Sequence, residues 1–299
     1  MKVLCLGHAA YDITVLLEEF PIENTKNRVR NRVECGGGPA SNAAYLLGKW
    51  GIETYFSGIV GNDLYGHNIK HEFVKANVNI DYLELSSKHV TTSSFIIANK
   101  ENGSRTIFTH RPSVMKMNDV EYDFEPDIIL IDGQEYDMSM KVLNKYKNAI
   151  SVIDAGRPRK EIIELGKKCT YLVCSKEFAE TVTNTKIKTE DFSTLEDVYS
   201  KLEKEFKNNI VVTLESSGCM AKIKGELKVI PSLKVKALDS TGAGDIFHGA
   251  FVYGLAKKFS LEKTLKYANF AGAISVTRVG GRFSIPTLEE MNTVYDRFK

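Results

Sequence analysis

Short apolar runs alternate along the chain with longer segments of helical size, and this alternation limits the possible fold more than any other feature. Polar residues or glycine bound each run, and the runs cover residues 3–7, 54–60, 127–131, 150–153, 171–174 and 210–214. Buried parallel strands have this character because helices cover both faces of their sheet. The segments between the runs, such as 64–76 and 195–206, have the length of crossover helices. The pattern predicts an α/β fold with a doubly wound, mostly parallel sheet and helices on both faces.

Two regions interrupt this alternation and predict a second, smaller sheet. Each contains two strand-like runs, 91–99 with 105–110 and 14–20 with 28–34. The turn Glu101-Asn102-Gly103-Ser104 favours a hairpin because Asn-Gly readily adopts positive φ. We therefore expect a small β-sheet lid, inserted at about 12–34 and 90–111 of a single domain that covers 1–299. Such a sheet covers a substrate or joins two copies in a homodimer.

Composition excludes several classes of protein. The chain has 299 residues, 43% of them hydrophobic, and its 40 Lys and Arg nearly balance its 38 Asp and Glu. This balance predicts no global attraction to nucleic acid or to an anionic membrane. The five cysteines are odd in number and contain no Cys-x-x-Cys pair, which favours buried thiols in a reducing compartment. No apolar stretch approaches the length of a membrane span, so we expect a soluble cytoplasmic enzyme.

The stretch from Asp239 to Asp245, Asp-Ser-Thr-Gly-Ala-Gly-Asp, carries the strongest chemical signal. The residues after it have helical spacing, so its glycines lie where a loop enters a helix. A helix N-terminus has unpaired N–H groups and a positive dipole end, which suit a phosphate. Asp245 would then lie in the first turn, able to accept a hydroxyl proton. The alternative is an acidic cap on a tight turn, with no chemistry.

A second glycine-rich stretch, Gly36-Gly37-Gly38-Pro39-Ala40-Ser41-Asn42, also leads into a predicted helix. Its Asn side chain and its glycine amides could hydrogen-bond a hydroxylated ligand. A close-packed turn is the alternative, because glycine is common wherever the backbone approaches other groups closely.

Together the two stretches resemble the two signatures of the ribokinase-like, or PfkB, carbohydrate kinase family. The resemblance covers nearly the whole chain, including the hairpin and the segment 276–281. It implies ATP, Mg²⁺ and transfer of the γ-phosphoryl group to a primary hydroxyl, and it leaves a monovalent cation such as K⁺ possible. The similarity is greatest to the ketose and sulfofructose kinase branch, on three stretches: Gly-Gly-Gly-Pro-Ala, Gly-Asp-Ile-Phe-His-Gly-Ala and Gly-Gly-Arg-x-x-Ile-Pro.

The resemblance also implies roles for individual residues. Asp245 looks like the catalytic base, and Gly242, Ala243 and Gly244 look like the anion hole for the transferred phosphoryl group. Asp12 looks like the residue that holds two sugar hydroxyls, with Gly38 and Asn42 as its partners. His110 ends the lid hairpin, and we expect it to contact the substrate because lids close over substrates.

The nucleotide and metal residues depart from the family pattern. The usual Asn-x-x-Glu motif is replaced here by Cys174-Ser175-Lys176-Glu177, in which Glu177 is the candidate metal residue. The usual Thr-x-Gly loop reads Thr213-Leu214-Glu215, with Gly218 following. We therefore expect Ser175, Thr213 and Gly218 to contact ATP.

Other classes of enzyme lack support in the sequence. There is no Gly-x-x-x-x-Gly-Lys-Ser/Thr loop, no protein-kinase motif set and no dinucleotide fingerprint. A non-catalytic sugar sensor, a nucleoside kinase and a sulfosugar kinase remain as alternatives. Gln134 occupies a position where a sulfonate-binding enzyme would be expected to have Arg, which favours a neutral ketose or pentose. Asp132 and Asp154 end apolar strands, where they serve either a ligand or a local cap or salt bridge.

Overall fold

A computed structural model describes residues 1–30, 32–112 and 115–298. Within these residues the main sheet has nine strands: β1 Lys2–Leu6, β4 Glu53–Gly61, β5 Val78–Ser86, β8 Ile128–Ile131, β9 Ile150–Ala155, β10 Tyr171–Ser175, β11 Asn209–Thr213, β12 Cys219–Ile223 and β13 Glu226–Ile230. Their order across the sheet is β13-β12-β11-β10-β9-β8-β1-β4-β5. Neighbouring strands from β11 to β5 are parallel, whereas β12 is antiparallel to both β11 and β13.

Helices cover both faces of this sheet. They are α1 Pro39–Lys49, α2 Leu64–Lys75, α3 Tyr136–Lys145, α4 Lys160–Gly166, α5 Lys176–Thr183, α6 Phe192–Glu205, α7 Ala243–Ala256, α8 Leu261–Ser275 and α9 Leu288–Phe298. Alternate residues of one strand enter different cores: Val3 and Cys5 pack with α1, α2, α7 and α8, whereas Leu4 and Leu6 pack with α3 to α6. This alternation follows from the two-residue period of a strand. The predicted fold class is confirmed.

The predicted small sheet is also present, with four strands in the order β3-β2-β6-β7. They are β2 Ala10–Leu17, β3 Arg32–Gly37, β6 Ser93–Asn99 and β7 Arg105–His110. Neighbours are antiparallel except β2 and β6, which are parallel. The hairpin of β6 and β7 was predicted closely. The prediction for 14–20 and 28–34 was wrong in its bounds, because β2 begins at residue 10 and β3 ends at residue 37; Asn31, inside the second predicted run, lies outside the described residues.

Two expectations drawn from composition can be compared with the structure. All five cysteines are buried and free. Over the described parts of the chain, no helix combines the length and the apolar character that a membrane span requires.

Candidate active site

Residues 239–244 form the glycine loop, which leads into α7, and α7 packs against β8 and β9. Gly242 is the residue before the helix and has φ 74°, a left-handed conformation that glycine adopts without strain. A Cβ at Gly242 would lie 3.1 Å from the Cα of Gly281, whereas the space beside Gly244 is open. Ala243 and Gly244 therefore begin a helix whose first amides can be approached by an anion.

Asp239 holds this loop in place. One of its carboxylate oxygens accepts a hydrogen bond from the Thr241 amide at 2.9 Å, and the other accepts one from the Gly280 amide at 2.8 Å. The side chain is buried, so both bonds are shielded from water. The loop is thereby tied to the segment that follows α8.

Asp245 lies in the first turn of α7, as the sequence predicted. One oxygen of its carboxylate accepts a hydrogen bond of 2.7 Å from Nδ2 of Asn42. Burial, the largest cause, and the charge of Asp154 together raise the pKa of Asp245 to about 6, although the Asn42 hydrogen bond opposes this rise. A carboxylate with such a pKa is mostly ionised at neutral pH yet is more basic than an exposed aspartate.

Asp12 is the second carboxylate of the site, and it lies inside β2. Its carboxylate covers the backbone of Gly37, where a Cβ would lie 2.0 Å from Oδ2. The pKa of Asp12 is raised to about 6, chiefly by burial and also by the charge of Asp245, although a hydrogen bond from Ser94 opposes the rise. The two carboxylates are therefore close enough to influence each other's ionisation.

Gly38 and Asn42 begin α1. Gly38 has φ 93°, and a Cβ there would lie 2.5 Å from the carbonyl oxygen of His8. The Asn42 amide donates to the Gly38 carbonyl at 2.8 Å, which closes the first turn. The close-packed turn considered for this stretch is thus present at Gly38, while the Asn42 side chain reaches the carboxylate of Asp245.

The small sheet carries different side chains on its two faces. Asp12 pairs in register with Ser94, which pairs with Thr109, so these three residues share one face. His110 pairs with Ser93 instead and is exposed on the opposite face. The structure therefore does not bring His110 together with Asp12, and Thr109 occupies the face where a substrate contact was expected.

The tip of the lid hairpin contacts the glycine loop. Nη1 of Arg105 donates to Oγ of Ser240 at 2.7 Å, and the Ser240 amide donates to the Gly103 carbonyl at 3.1 Å. A Cβ at Gly103 would lie 2.5 Å from that of Ala237, so this contact requires glycine. Arg105 also helps lower the pKa of Asp245 through its charge. Arg105 was not among the predicted site residues, and its place at the hairpin tip is its signal in the sequence.

A buried histidine joins α7 to the sheet. Nδ1 of His248 lies 2.7 Å from the carbonyl oxygen of Gly244 and 3.2 Å from Oδ2 of Asp154, and Nε2 lies 3.2 Å from the carbonyl oxygen of Val173. Burial raises the pKa of Asp154, and the charge of His248 opposes that rise. This pair attaches the turn that carries Asp245 to β9 and β10. Sequence reasoning had not assigned a role to His248.

Asp132, at the end of β8, binds backbone rather than pointing freely into the site. Its carboxylate accepts hydrogen bonds from the amides of His8 at 2.8 Å, Ala40 at 3.1 Å and Gln134 at 2.9 Å. Of the two roles considered for Asp132, the geometry supports the local structural one.

The residues expected to contact ATP lie near one another at the carboxyl edge. Ser175 and Thr213 are register partners at the ends of β10 and β11. Oγ of Ser175 accepts a hydrogen bond from the Phe178 amide at 3.0 Å and so caps α5. Gly218 has φ 103°, and a Cβ there would lie 2.1 Å from the carbonyl oxygen of Ile230.

Glu177, the candidate metal residue, is exposed in the first turn of α5. Its carboxylate lies 3.4 Å from Nε of Arg157. Within the described residues there is no group of three His, Cys, Asp or Glu side chains that could hold a metal ion. Mg²⁺ usually needs only one or two carboxylates because phosphates and water complete its shell, so a single carboxylate such as Glu177 fits this requirement.

Comparisons with known proteins extend over nearly the whole chain. The sequence model described as pfkB family carbohydrate kinase matches residues 1–288. A nucleoside kinase from Methanocaldococcus jannaschii is 24% identical over 297 residues, which cover 97% of this chain and 95% of the relative.

Solved structures are similar over nearly the full length. A candidate ribokinase from Agrobacterium tumefaciens superposes with a TM-score of 0.90 at 23% identity, covering 99% of this chain and 98% of the other. Ribokinase from Arabidopsis thaliana, complexed with ribose and ATP, superposes with a TM-score of 0.78 at 23% identity and covers 98% of each chain. At these identities the likeness establishes a shared fold.

Proposed function

The chain belongs to the pfkB family of carbohydrate kinases, and from this premise we propose that it transfers the γ-phosphoryl group of ATP to a primary hydroxyl of a small neutral sugar, of ketose or pentose type. One observation carries the proposal. Asp245, with its pKa raised to about 6 by burial, stands in the first turn of α7 directly after the glycine loop. A base and an anion-binding helix end are thereby adjacent.

Phosphoryl transfer needs alignment and stabilisation of negative charge more than covalent help from the protein. In our proposal, the amides of Gly242, Ala243 and Gly244 bind the transferred group at the positive end of α7. Open space beside Gly244 leaves room for this anion. Arg105, which contacts Ser240 at the edge of the loop, adds a positive charge at the same place.

The proposed reaction moves one phosphoryl group and one proton. The substrate hydroxyl oxygen forms a bond to the γ-phosphorus while the bond from that phosphorus to the ADP oxygen breaks. Asp245 takes the hydroxyl proton. Asp12 accepts hydrogen bonds from two other hydroxyls and so orients the sugar, with Asn42 and the backbone near Gly38 beside it.

We assign the nucleotide to the carboxyl ends of β10 and β11. Ser175, Thr213 and Gly218 would contact ATP, and Glu177 would hold a hydrated Mg²⁺ that neutralises phosphate charge. A monovalent cation such as K⁺ would increase turnover, which assays with and without KCl would test.

Two observations bear on the choice of substrate. Gln134 in place of a basic residue favours a neutral sugar over a sulfosugar. The similarity to a nucleoside kinase over 97% of this chain makes a nucleoside the second candidate. A sugar sensor without catalysis is the remaining alternative, which an intact Asp245 disfavours.

A screen of ADP release separates these possibilities. The purified protein is incubated with ATP, Mg²⁺ and one acceptor from panels of ketoses, pentoses, sulfosugars, keto-deoxy acids and nucleosides. Our proposal expects ADP release only with a neutral sugar, and loss of that activity in Asp245→Asn. Release with a nucleoside alone would transfer the assignment to the second candidate. Ligand binding without any ADP release would identify a sensor.

We further propose that the small sheet is both lid and dimer interface. Phe95 and Phe108 are cross-strand partners on the face opposite Asp12, and they are 45% and 57% exposed. A second copy of this chain would cover these rings. Replacing both by Ser should convert a dimer into a monomer in light scattering, and a monomeric wild-type protein would contradict the interface.

Lid function has its own test. Deleting 99–105 and joining the ends by a short turn removes the hairpin tip that contacts the glycine loop. Sugar phosphorylation should fall while the ratio of ATP hydrolysis to sugar phosphorylation rises, because water then reaches the phosphoryl group. Unchanged activities and unchanged solution mass would refute both roles.

A further inference from the structure

Arg282 lies in the segment between α8 and α9, and its side chain is completely buried. Nη1 lies 2.8 Å from Oε2 of Glu72, and Nη2 donates to Oγ of Ser41. Nε points to Oδ1 of Asn42 at 3.5 Å. A fully buried charge is costly unless it is paired and hydrogen-bonded, so the surroundings of Arg282 are built to hold it.

Aromatic rings and a glycine complete this pocket. The guanidinium carbon lies 5.0 Å from the ring centre of Tyr45 and 4.9 Å from that of Phe73. Gly36 in lid strand β3 leaves room for it, since a Cβ there would lie 2.2 Å from Nη1. The Gly36 amide also donates to Glu72 at 3.0 Å. The Arg282–Glu72 pair therefore joins the segment after α8 to α1, α2 and the lid.

The chemistry of the guanidinium fixes the orientation of the Asn42 amide. Arginine has only donors, so it must face the carbonyl oxygen of that amide. Nδ2 of Asn42 then points the other way, to the carboxylate of Asp245 at 2.7 Å. If the Asn42 amide were flipped, its NH₂ group would face the guanidinium and its oxygen would face the carboxylate. Both contacts would be repulsive.

We propose that Arg282, held by Glu72, is a positioning residue for phosphoryl transfer, which acts by orienting Asn42 so that its NH₂ group holds Asp245. This inference rests on the proposed role of Asp245 as base. One carboxylate oxygen is occupied by Asn42, which leaves the other free for the substrate hydroxyl. The same hydrogen bond favours the ionised carboxylate that can accept a proton.

The test is a double-mutant cycle read from the pH dependence of kcat/KM for the best acceptor. Arg282→Met should lower kcat/KM about ten- to hundredfold, the scale of a misplaced reacting group. The acid limb should move to higher pH, because loss of the Asn42 hydrogen bond raises the pKa of Asp245. In an Asn42→Ala background, Arg282→Lys should produce no further movement. Lysine is used in this step because the positive charge of Arg282 also lowers the pKa of Asp12 directly. Arg278→Met, which breaks the nearby pair with Glu290, is the control and should leave the acid limb in place.

Arg282→Lys covers the case in which the Met variant does not fold. Lysine keeps the positive charge for Glu72 but lacks a donor at the position of Nε, so the acid limb should still move to higher pH. A folded Lys or Met variant with the wild-type limb, or a movement of the Lys variant that adds to that of Asn42→Ala, overturns the inference. Asp245→Asn separates failure of the Arg282 inference from failure of the proposed base. If that variant keeps its turnover, the assignment of Asp245 as base has failed.

Discussion

Replacing Asp245 by Asn should lower turnover strongly and, at the same time, stabilise the protein at neutral pH. Burial and the charge of Asp154 raise the pKa of the carboxyl from 3.8 to about 6. Ionisation at pH 7 is therefore less favourable in the folded protein than in the unfolded chain. Asparagine has nearly the same shape and keeps an oxygen that can accept from Asn42, but it cannot ionise.

The magnitude follows from the pKa difference. About two units at roughly 1.4 kcal/mol each give a gain in the free energy of unfolding of up to about 3 kcal/mol above pH 6. The folded carboxyl binds its proton more tightly than the unfolded one, so the wild-type protein loses this stability as the pH rises from about 4 to about 6. The gain of the Asn variant should shrink over the same range as the pH is lowered. Loss of the base should lower kcat by about 10²–10⁴.

Urea unfolding at several pH values, together with ADP release, measures both effects on one protein. Asp137→Asn is a matched control, because Asp137 also lies in the first turn of a helix but is exposed. It should show no such gain. A near-normal kcat in Asp245→Asn would remove this residue from catalysis. A stability difference that does not change between pH 4 and pH 8 would refute the electrostatic reasoning.

Three further predictions concern neighbouring groups. Asp12→Ala should raise KM for the sugar far more than KM for ATP, because the sugar loses a charged hydrogen-bond partner worth about 1.5–3 kcal/mol of binding free energy. An unchanged sugar KM beside a raised ATP KM would show the assignment of Asp12 to be misplaced. Asp154→Asn removes a charge that raises the pKa of Asp245, so the acid limb of kcat/KM should move to lower pH, and a limb that stays in place counts against that coupling. Gly218→Ala forces a Cβ to within 2.1 Å of the Ile230 carbonyl oxygen, so it should lower the melting temperature and raise KM for ATP. Wild-type values of both quantities would contradict this close approach.

The fold was largely predictable because its signals are local. Each apolar run of the main sheet became a strand, since a buried parallel strand must be apolar on both faces. The bounds of β2 and β3 were not predictable from the same signals. Tyr11 to Leu17 pair residue by residue with Ser93 to Asn99, and a partner so distant in sequence sets the register of β2.

The candidate site residues also differ in whether their signal is local in the sequence or depends on distant contacts. Asp245 and Asn42 could be proposed as candidates from the sequence because glycine loops and helix starts are patterns of adjacent residues. Arg105, His248 and Arg282 were not assigned roles, since each acts through a contact between distant segments. Arg282, for example, is separated from Asn42 by 240 residues.

The sequence by itself determined where glycines permit tight turns, where helices begin and which residues could carry charge. These properties depend on each residue and its neighbours in the chain. Tertiary structure alone decided that Asp12 and Asp245 share a site in which burial raises the pKa of both to about 6. It also turned Thr109 rather than His110 towards Asp12, through the pairing of β2, β6 and β7. Desolvation, strand register and charge–charge coupling depend on the surroundings that folding assembles, and a linear sequence does not contain those distances.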